Sequence, residues 1–134
     1  MVTSELLGPL ESEVMEVMWE MNQATVRQVV NVLRERRTIA YTTVMTIMNN
    51  LVAKGLLQRT PQSKAHLYTV VLSRQEFWER ASQEAVSDVL NRFGDLAIAR
   101  FVETVARLRP EYLERLRQLA EQEAEQRTRE EVEQ

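Results

Sequence analysis

The chain has 134 residues, of which 44% are apolar and 28% charged, so it is long enough for one globular domain or two very small ones. It has no cysteine and one histidine, which excludes disulfides, thiolate metal sites and any evident nucleophile–base pair, so we expect no enzyme, metal or cofactor. No basic region followed by an apolar run opens the sequence, and no apolar stretch approaches membrane-spanning length, so we expect a cytoplasmic protein without membrane insertion.

The net charge of −3 is unevenly distributed along the chain. Residues 21–72 contain seven basic side chains and only one acid, Glu35, which gives this segment a net charge of +6. Residues 73–134 have a net charge of −4, and residues 1–20 contain five glutamates and no basic residue. A basic segment in an acidic chain is the pattern expected of a phosphate-binding surface.

Two helices are predicted at the start of the chain, after residues 1–7, which we expect to be loose. The first begins at Pro9, with Trp19 close to its apolar stripe and therefore expected in the core. Thr25-Val-Arg-Gln28 has the pattern of a capping box and predicts the start of the second helix. The apolar stripes are Leu10, Val14, Val17, Met18 and Met21 in the first helix and Val26, Val29, Val30 and Leu33 in the second.

A third helix is predicted over residues 40–54 and ends at Gly55. Its buried stripe is Val44, Ile47, Met48 and Leu51, and its opposite face is Thr42, Met45, Thr46, Asn49 and Ala53. This second face is short-chained and uncharged, unlike an ordinary solvated helix face. It suits the floor of a DNA major groove, where asparagine can pair with adenine and threonine or methionine can contact thymine methyl groups. The alternative is a core helix with a plain outer side.

Residues 56–60 and 65–71 are β-prone runs separated by a polar, basic tip, Pro61-Gln-Ser-Lys64, which predicts a hairpin. Three helices followed directly by a hairpin predict a winged helix-turn-helix over residues 1–72. In that fold the third helix enters the major groove and the hairpin tip lies on the flanking backbone or in the minor groove.

Residues 73–134 predict three further helices, and the whole chain is therefore expected to be mainly α. Ser73-Arg-Gln-Glu76 is a second capping box, and the helix that it opens should end near Phe93. The next helix is apolar on almost all sides and needs a cover that so short a segment cannot supply, which predicts a dimerisation domain. From Glu121 onward the chain is expected to fray. The candidate dimerisation residues are Phe93, Leu96, Ile98, Phe101, Val102, Val105, Leu113 and Leu116.

The order of these elements and the amino-acid sequence of several motifs resemble those of the BlaI/MecI penicillinase-repressor family of winged-helix regulators. The resemblance is carried by Leu10-Glu-Ser-Glu-Val14 with Trp19, Thr25-Val-Arg-Gln-Val29, Ala40-Tyr-Thr-Thr-Val-Met-Thr46 with Leu51 and Lys54-Gly55, and His66-Leu-Tyr68. The match is looser in the C-terminal half, through Phe101-Val-Glu103 and the following helix.

The resemblance implies a homodimeric repressor that binds an inverted-repeat operator in double-stranded DNA and controls β-lactam-resistance or related genes. It implies that Thr42, Thr43, Thr46 and Asn50 face the operator and that the wing near Arg59 to Lys64 lies on the DNA backbone. The candidate backbone contacts are Arg27, Arg37, Tyr41, Lys54, Arg59 and Lys64.

Many family members are released from DNA when a membrane sensor protein detects a β-lactam and the repressor is cleaved in its dimerisation region. The best-known members have an Asn before the Phe at that point, whereas the aligned pair here is Arg100-Phe101. Some members have Lys or Arg on the groove face where this chain has Thr42 and Asn50. The operator sequence of those members therefore cannot be assigned to this protein. The absence of cysteine excludes the copper-responsive CopY branch.

Two other kinds of protein remain open from the sequence. One is a MarR-type repressor released by a small ligand that binds between the winged helix and the helical region, near Phe77, Trp78 and Phe93. The other is a winged helix used only for protein contacts, against which the local charge of +6 counts.

Overall fold

The computed structural model of the chain describes residues 7–62 and 64–133, and the order of their elements is that of a winged helix-turn-helix followed by helices. The chain divides into two compact units, of which the first ends at Val86 and the second begins at Ser87. The domain boundary expected after residue 72 stays a prediction. The elements are α1 (Pro9–Met21), β1 (Gln23–Ala24), α2 (Val26–Leu33), α3 (Tyr41–Ala53), β2 (Leu57–Gln62), β3 (Ala65–Val70), α4 (Arg74–Phe93), α5 (Asp95–Leu108) and α6 (Tyr112–Glu133).

Reciprocal side-chain capping marks where α2 and α4 begin. At the start of α2 the Gln28 amide donates to Thr25 Oγ1 at 3.3 Å, and the Thr25 amide donates to Gln28 Oε1 at 2.8 Å. The Ser73 and Glu76 pair repeats this reciprocal arrangement before α4. Both predicted capping boxes are therefore confirmed.

The end of α3 is set by Gly55, whose φ of +82° lies in the left-handed region that glycine tolerates best. The Gly55 amide donates to the Val52 carbonyl and the Leu56 amide to the Leu51 carbonyl, both at 3.0 Å. These two bonds form a Schellman motif, which turns the chain sharply from α3 into the wing.

The buried faces of α1, α2 and α3 meet in one apolar core that also contains Tyr68 from β3. The predicted stripe of α3 is buried in full, and Trp19 packs against the core while its indole Nε1 donates to the Leu72 carbonyl at 2.9 Å. Leu7 is buried as well, which corrects the expectation that residue 7 is loose. The same expectation for residues 1–6 lies outside the described residues.

The sheet of the wing has three antiparallel strands in the order β1-β3-β2, with Gln23 paired to Thr69 and Leu57 to Val70. The predicted hairpin is confirmed. β1 was not predicted, and β2 runs two residues beyond the prediction, to Gln62, because an edge strand tolerates the missing N–H of Pro61. Ser63 of the predicted tip lies outside the described residues.

The three predicted C-terminal helices are confirmed, but α6 is longer than expected. It continues to Glu133, and the expected fraying after Glu121 is wrong. Arg117 bonds to Glu114 and Glu121 one turn away on either side, and Gln126 donates to Glu130, so side-chain pairs support the polar turns. Among the described residues, no helix is long and apolar enough to cross a bilayer.

Candidate nucleic-acid interface

The outer face of α3 is exposed, as the predicted groove contact requires. Thr42, Thr43, Met45, Thr46 and Asn50 are all exposed, and Asn49 is half-buried. The Thr46 hydroxyl donates to the Thr42 carbonyl at 3.0 Å, the backbone bond that threonine often makes within a helix. Its oxygen is left as an acceptor and its methyl group as an apolar contact.

The wing joins this face of α3 through Asn49. Its Oδ1 accepts a hydrogen bond from the Arg59 guanidinium of β2 at 3.0 Å and another from the Tyr68 hydroxyl of β3 at 2.8 Å. Tyr68 is only 1% exposed, whereas Arg59 is exposed. The helix face and a wing cation thus form one continuous polar surface. These contacts join residues 10 and 19 positions apart, which is why helical periodicity did not reveal them.

Two of the predicted backbone contacts are paired within the chain by acids of α1. Arg37 Nη1 lies 2.6 Å from Glu13 Oε2, and Lys54 Nζ lies 2.8 Å from Glu11 Oε1. Arg74 is held in the same way by Glu16, at 2.7 Å. The glutamates of α1 thereby balance cations from three later segments, and they lower the charge that Arg37 and Lys54 can offer to phosphate.

The environment of Glu11 changes its acidity. Burial would raise its pKa, but hydrogen bonds from the Gly8 amide and from Lys54, together with the Lys54 charge, outweigh that effect. The pKa of Glu11 therefore lies below its ordinary value of 4.5, and the carboxylate stays charged at neutral pH.

The remaining predicted backbone contacts are placed differently. Arg27 lies over the ring of Tyr41, with the guanidinium carbon 4.8 Å from the ring centroid, so α2 and the first turn of α3 present a cation and an aromatic ring together. Lys64 is exposed beyond the end of β2, and Arg36, another of the seven basic side chains of residues 21–72, is exposed after α2. Arg27, Arg36, Arg59 and Lys64 are therefore the stronger candidates for phosphate contact.

The candidate dimerisation residues lie in the last turn of α4 and in α5 and α6. Within the single chain, Phe93, Leu96, Ile98, Phe101, Val102 and Leu113 are exposed, while Val105 and Leu116 are half-buried. Leu96 is 66% and Phe101 57% exposed, and among the described residues of the C-terminal unit only Ala97 is buried. Arg100, of the candidate cleavage pair, is exposed on α5 and bonds to Glu103 at 3.0 Å.

A profile of the penicillinase repressor family matches residues 7–122. The chain belongs to this family. Penicillinase repressors are DNA-binding transcriptional repressors and not enzymes, which agrees with the winged helix and its exposed α3 face.

Individual proteins are also similar to this chain. The protein called transcriptional regulator BlaI in two strains of Mycobacterium tuberculosis is 37% identical over 101 residues, which are 74% of this chain and 73% of that protein. An uncharacterized 16.5 kDa protein of Latilactobacillus sakei is 30% identical over 73 residues, 54% of this chain and 50% of its own. The solution structure of the DNA-binding domain of the repressor BlaI aligns with 57% of this penicillinase repressor and 93% of its own chain, with 24% identity and a TM-score of 0.49.

Proposed function

We propose that the protein represses transcription by binding an inverted-repeat operator as a homodimer, with α3 in the major groove and the wing on the flanking backbone. The observation that carries this proposal is the contact between Asn49 and Arg59 at 3.0 Å, since it makes the exposed face of α3 and a cation of the wing one surface. In groove recognition, base contacts from a helix specify the sequence and phosphate contacts from neighbouring cations position the protein on the DNA.

The homodimer is supported by the exposed side chains of the C-terminal helices. Large apolar groups such as Leu96, Ile98 and Phe101 are each more than half exposed in the single chain. A two-fold axis would let two copies of this surface cover each other. The same axis would place two α3 helices about one turn of DNA apart, roughly 34 Å, on a palindromic site.

Regulation of β-lactam-resistance or related genes, and release through loss of the dimer, extend the proposal to what the family resemblance implies. A membrane sensor-protease would cut the chain at Arg100–Phe101. The repressor would bind its DNA in the cytoplasm. That peptide bond lies within α5, so local unfolding of the helix would have to precede any cut.

Release by a small ligand is the second candidate. A groove of about 280 Å³ is floored by Leu56, Leu72, Phe77 and Ala81, with Lys54 and Arg80 at its rim. This volume lies just under the roughly 300–1,000 Å³ typical of sites for drug-sized ligands. We therefore favour release through the dimer.

The deciding experiment is a gel-shift titration with the DNA upstream of the protein's own gene, repeated with a shuffled fragment of the same length. We expect tight, competitor-resistant binding to the first fragment only. Equal binding to both fragments would refute operator recognition, and no binding to either would refute the DNA function. Adding a β-lactam with purified protein alone should change nothing, whereas release by the drug alone would favour the ligand mechanism.

A further inference from the structure

The cluster formed by Asn49, Arg59 and Tyr68, which we call the Asn49 bracket, has a chemistry that restricts what Asn49 can do on DNA. Arginine only donates hydrogen bonds, so the Asn49 atom that faces Arg59 must be the carbonyl oxygen and not the amide nitrogen. The Tyr68 hydroxyl donates to the same atom. A carbonyl oxygen has two lone pairs, and the bracket occupies both.

Pairing of asparagine with adenine needs one donor and one acceptor from the same side chain. Asn49 retains only the donors of its amide group while the bracket holds. Turning the carbonyl toward a base would set the Asn49 amide NH₂ group against the Arg59 guanidinium, which can only donate. It would also leave the Tyr68 hydroxyl without an acceptor in a residue that is only 1% exposed, which is unfavourable. The adenine contact expected from the helix face alone is therefore not available to Asn49.

We propose that Asn49 is a positioning residue that holds the Arg59 side chain of the wing against α3. The guanidinium would then contact a DNA phosphate at a fixed position relative to the bases that α3 contacts. This inference rests on the proposed function. Arginine has many rotamers, and fixing it before binding lowers the entropy lost on contact with DNA. Base reading then falls to the exposed residues of α3, among them Thr46, and Asn49 acts through Arg59.

The test uses the salt dependence of binding by the full chain, since each phosphate contact contributes about −0.9 to the slope of log K against log salt. Arg59→Ala should flatten the slope by about 0.9 for each bound chain. Asn49→Ala should flatten it in the same direction but by less than Arg59→Ala, because an Arg59 side chain that is no longer held contacts the phosphate in only part of the complexes. It should weaken operator and random DNA to similar extents. The double variant should bind like Arg59→Ala alone, because Asn49 has no effect without Arg59.

Asn50→Ala is the matched control for the salt slope alone, since Asn50 is the same residue type one position along α3, is exposed, and is expected to face bases and not phosphates. It should keep the wild-type slope. A wild-type slope in Asn49→Ala overturns the proposal, whatever the affinity of that variant. Additive losses in the double variant, or a loss confined to one base pair of the operator, also overturn it and assign Asn49 to base reading.

A measurement without DNA separates this inference from the proposed function. The Tyr68 hydroxyl proton should exchange slowly with water in the NMR spectrum of the wild type and faster in Asn49→Ala, and circular dichroism should show that the variant stays folded. Equal exchange in both proteins overturns the bracket itself. Slow exchange in a wild-type protein that shows no salt-dependent DNA binding would instead refute the proposed function.

Discussion

Replacing Phe101 tests whether the apolar surface of α5 is a subunit interface. Fully burying a Phe side chain is worth about 1.5–3 kcal/mol. The side chain is 57% exposed in the single chain, so covering the remainder contributes roughly 0.9–1.7 kcal/mol per copy. A symmetric dimer contains two copies, and Phe101→Ala should therefore weaken dimerisation by about 2–3 kcal/mol, or roughly 30- to 150-fold.

Phe101→Asp should have a larger effect, because it adds two carboxylates that would be buried without partners. Sedimentation equilibrium over a range of protein concentrations measures both dissociation constants. We expect a folded, mostly monomeric Phe101→Asp protein that still gives the circular dichroism of a helical chain and no longer binds the full palindrome tightly. Affinity for a single half-site should change little, since α3 and the wing are untouched.

Val132→Asp is the matched control, because Val132 is 80% exposed on α6 and is not among the predicted interface residues. It should leave the dimer intact. A wild type that sediments as a monomer at micromolar concentration would refute the dimer. Equal weakening by Phe101→Asp and Val132→Asp would show that the loss comes from charge alone and that our interface is misplaced.

Three further outcomes follow from the N-terminal unit. The wild-type salt slope should be about −3 to −4 per bound chain, because Arg27, Arg36, Arg59 and Lys64 are the candidate phosphate contacts, and a slope near zero in a binding titration would contradict phosphate contact. The other three cations of residues 21–72 are engaged within the chain, since Arg37 and Lys54 pair with glutamates and Arg34 Nε donates to the Ile39 carbonyl at 3.1 Å. Thr46→Ala should weaken operator binding by roughly 1–3 kcal/mol and random DNA hardly at all, and equal losses in fluorescence anisotropy would remove Thr46 from base reading. Glu11 has a lowered pKa, so its contribution to stability is present above about pH 4.5 and is lost as the pH falls through the folded-state value. The free energy of unfolding, measured by urea denaturation, should therefore drop less between neutral and acid pH in Glu11→Gln than in the wild type. Identical drops in the two proteins would show that Glu11 does not contribute to the loss of stability in acid.

The helices and the wing could be predicted because their signals are local. The capping boxes at Thr25 and Ser73 involve residues three positions apart, and the stripe of α3 repeats within one helix. β1 could not be predicted in this way, since two residues carry no periodicity and the strand exists only through its pairing with β3. The tail of α6 was misjudged because its polar composition was given more weight than its side-chain pairs at helical spacing.

The candidate interface was predictable as a face but not as a set of chemical groups. Helical spacing placed Asn49 beside Thr46, yet the partners that engage its carbonyl come from β2 and β3. The charge count likewise treated Arg37 and Lys54 as available for phosphate contact. In the fold they pair with Glu13 and Glu11 of α1, which lie 24 and 43 positions away in the sequence. Sequence composition measures how much charge a segment has, and only the tertiary fold decides which of it is already neutralised.

The position of Pro61 in β2 has a consequence for how the protein behaves in a crowded cell. β3 is flanked by β1 and β2, so among the described strands the outer side of β2 is the long open edge of the sheet. Open edges invite pairing with strands of other molecules and so promote aggregation. Pro61 offers no N–H to an incoming strand, and the exposed cation Arg59 lies two residues before it on the same strand. The wing can therefore project from the protein toward a polyanion while remaining a poor template for self-association.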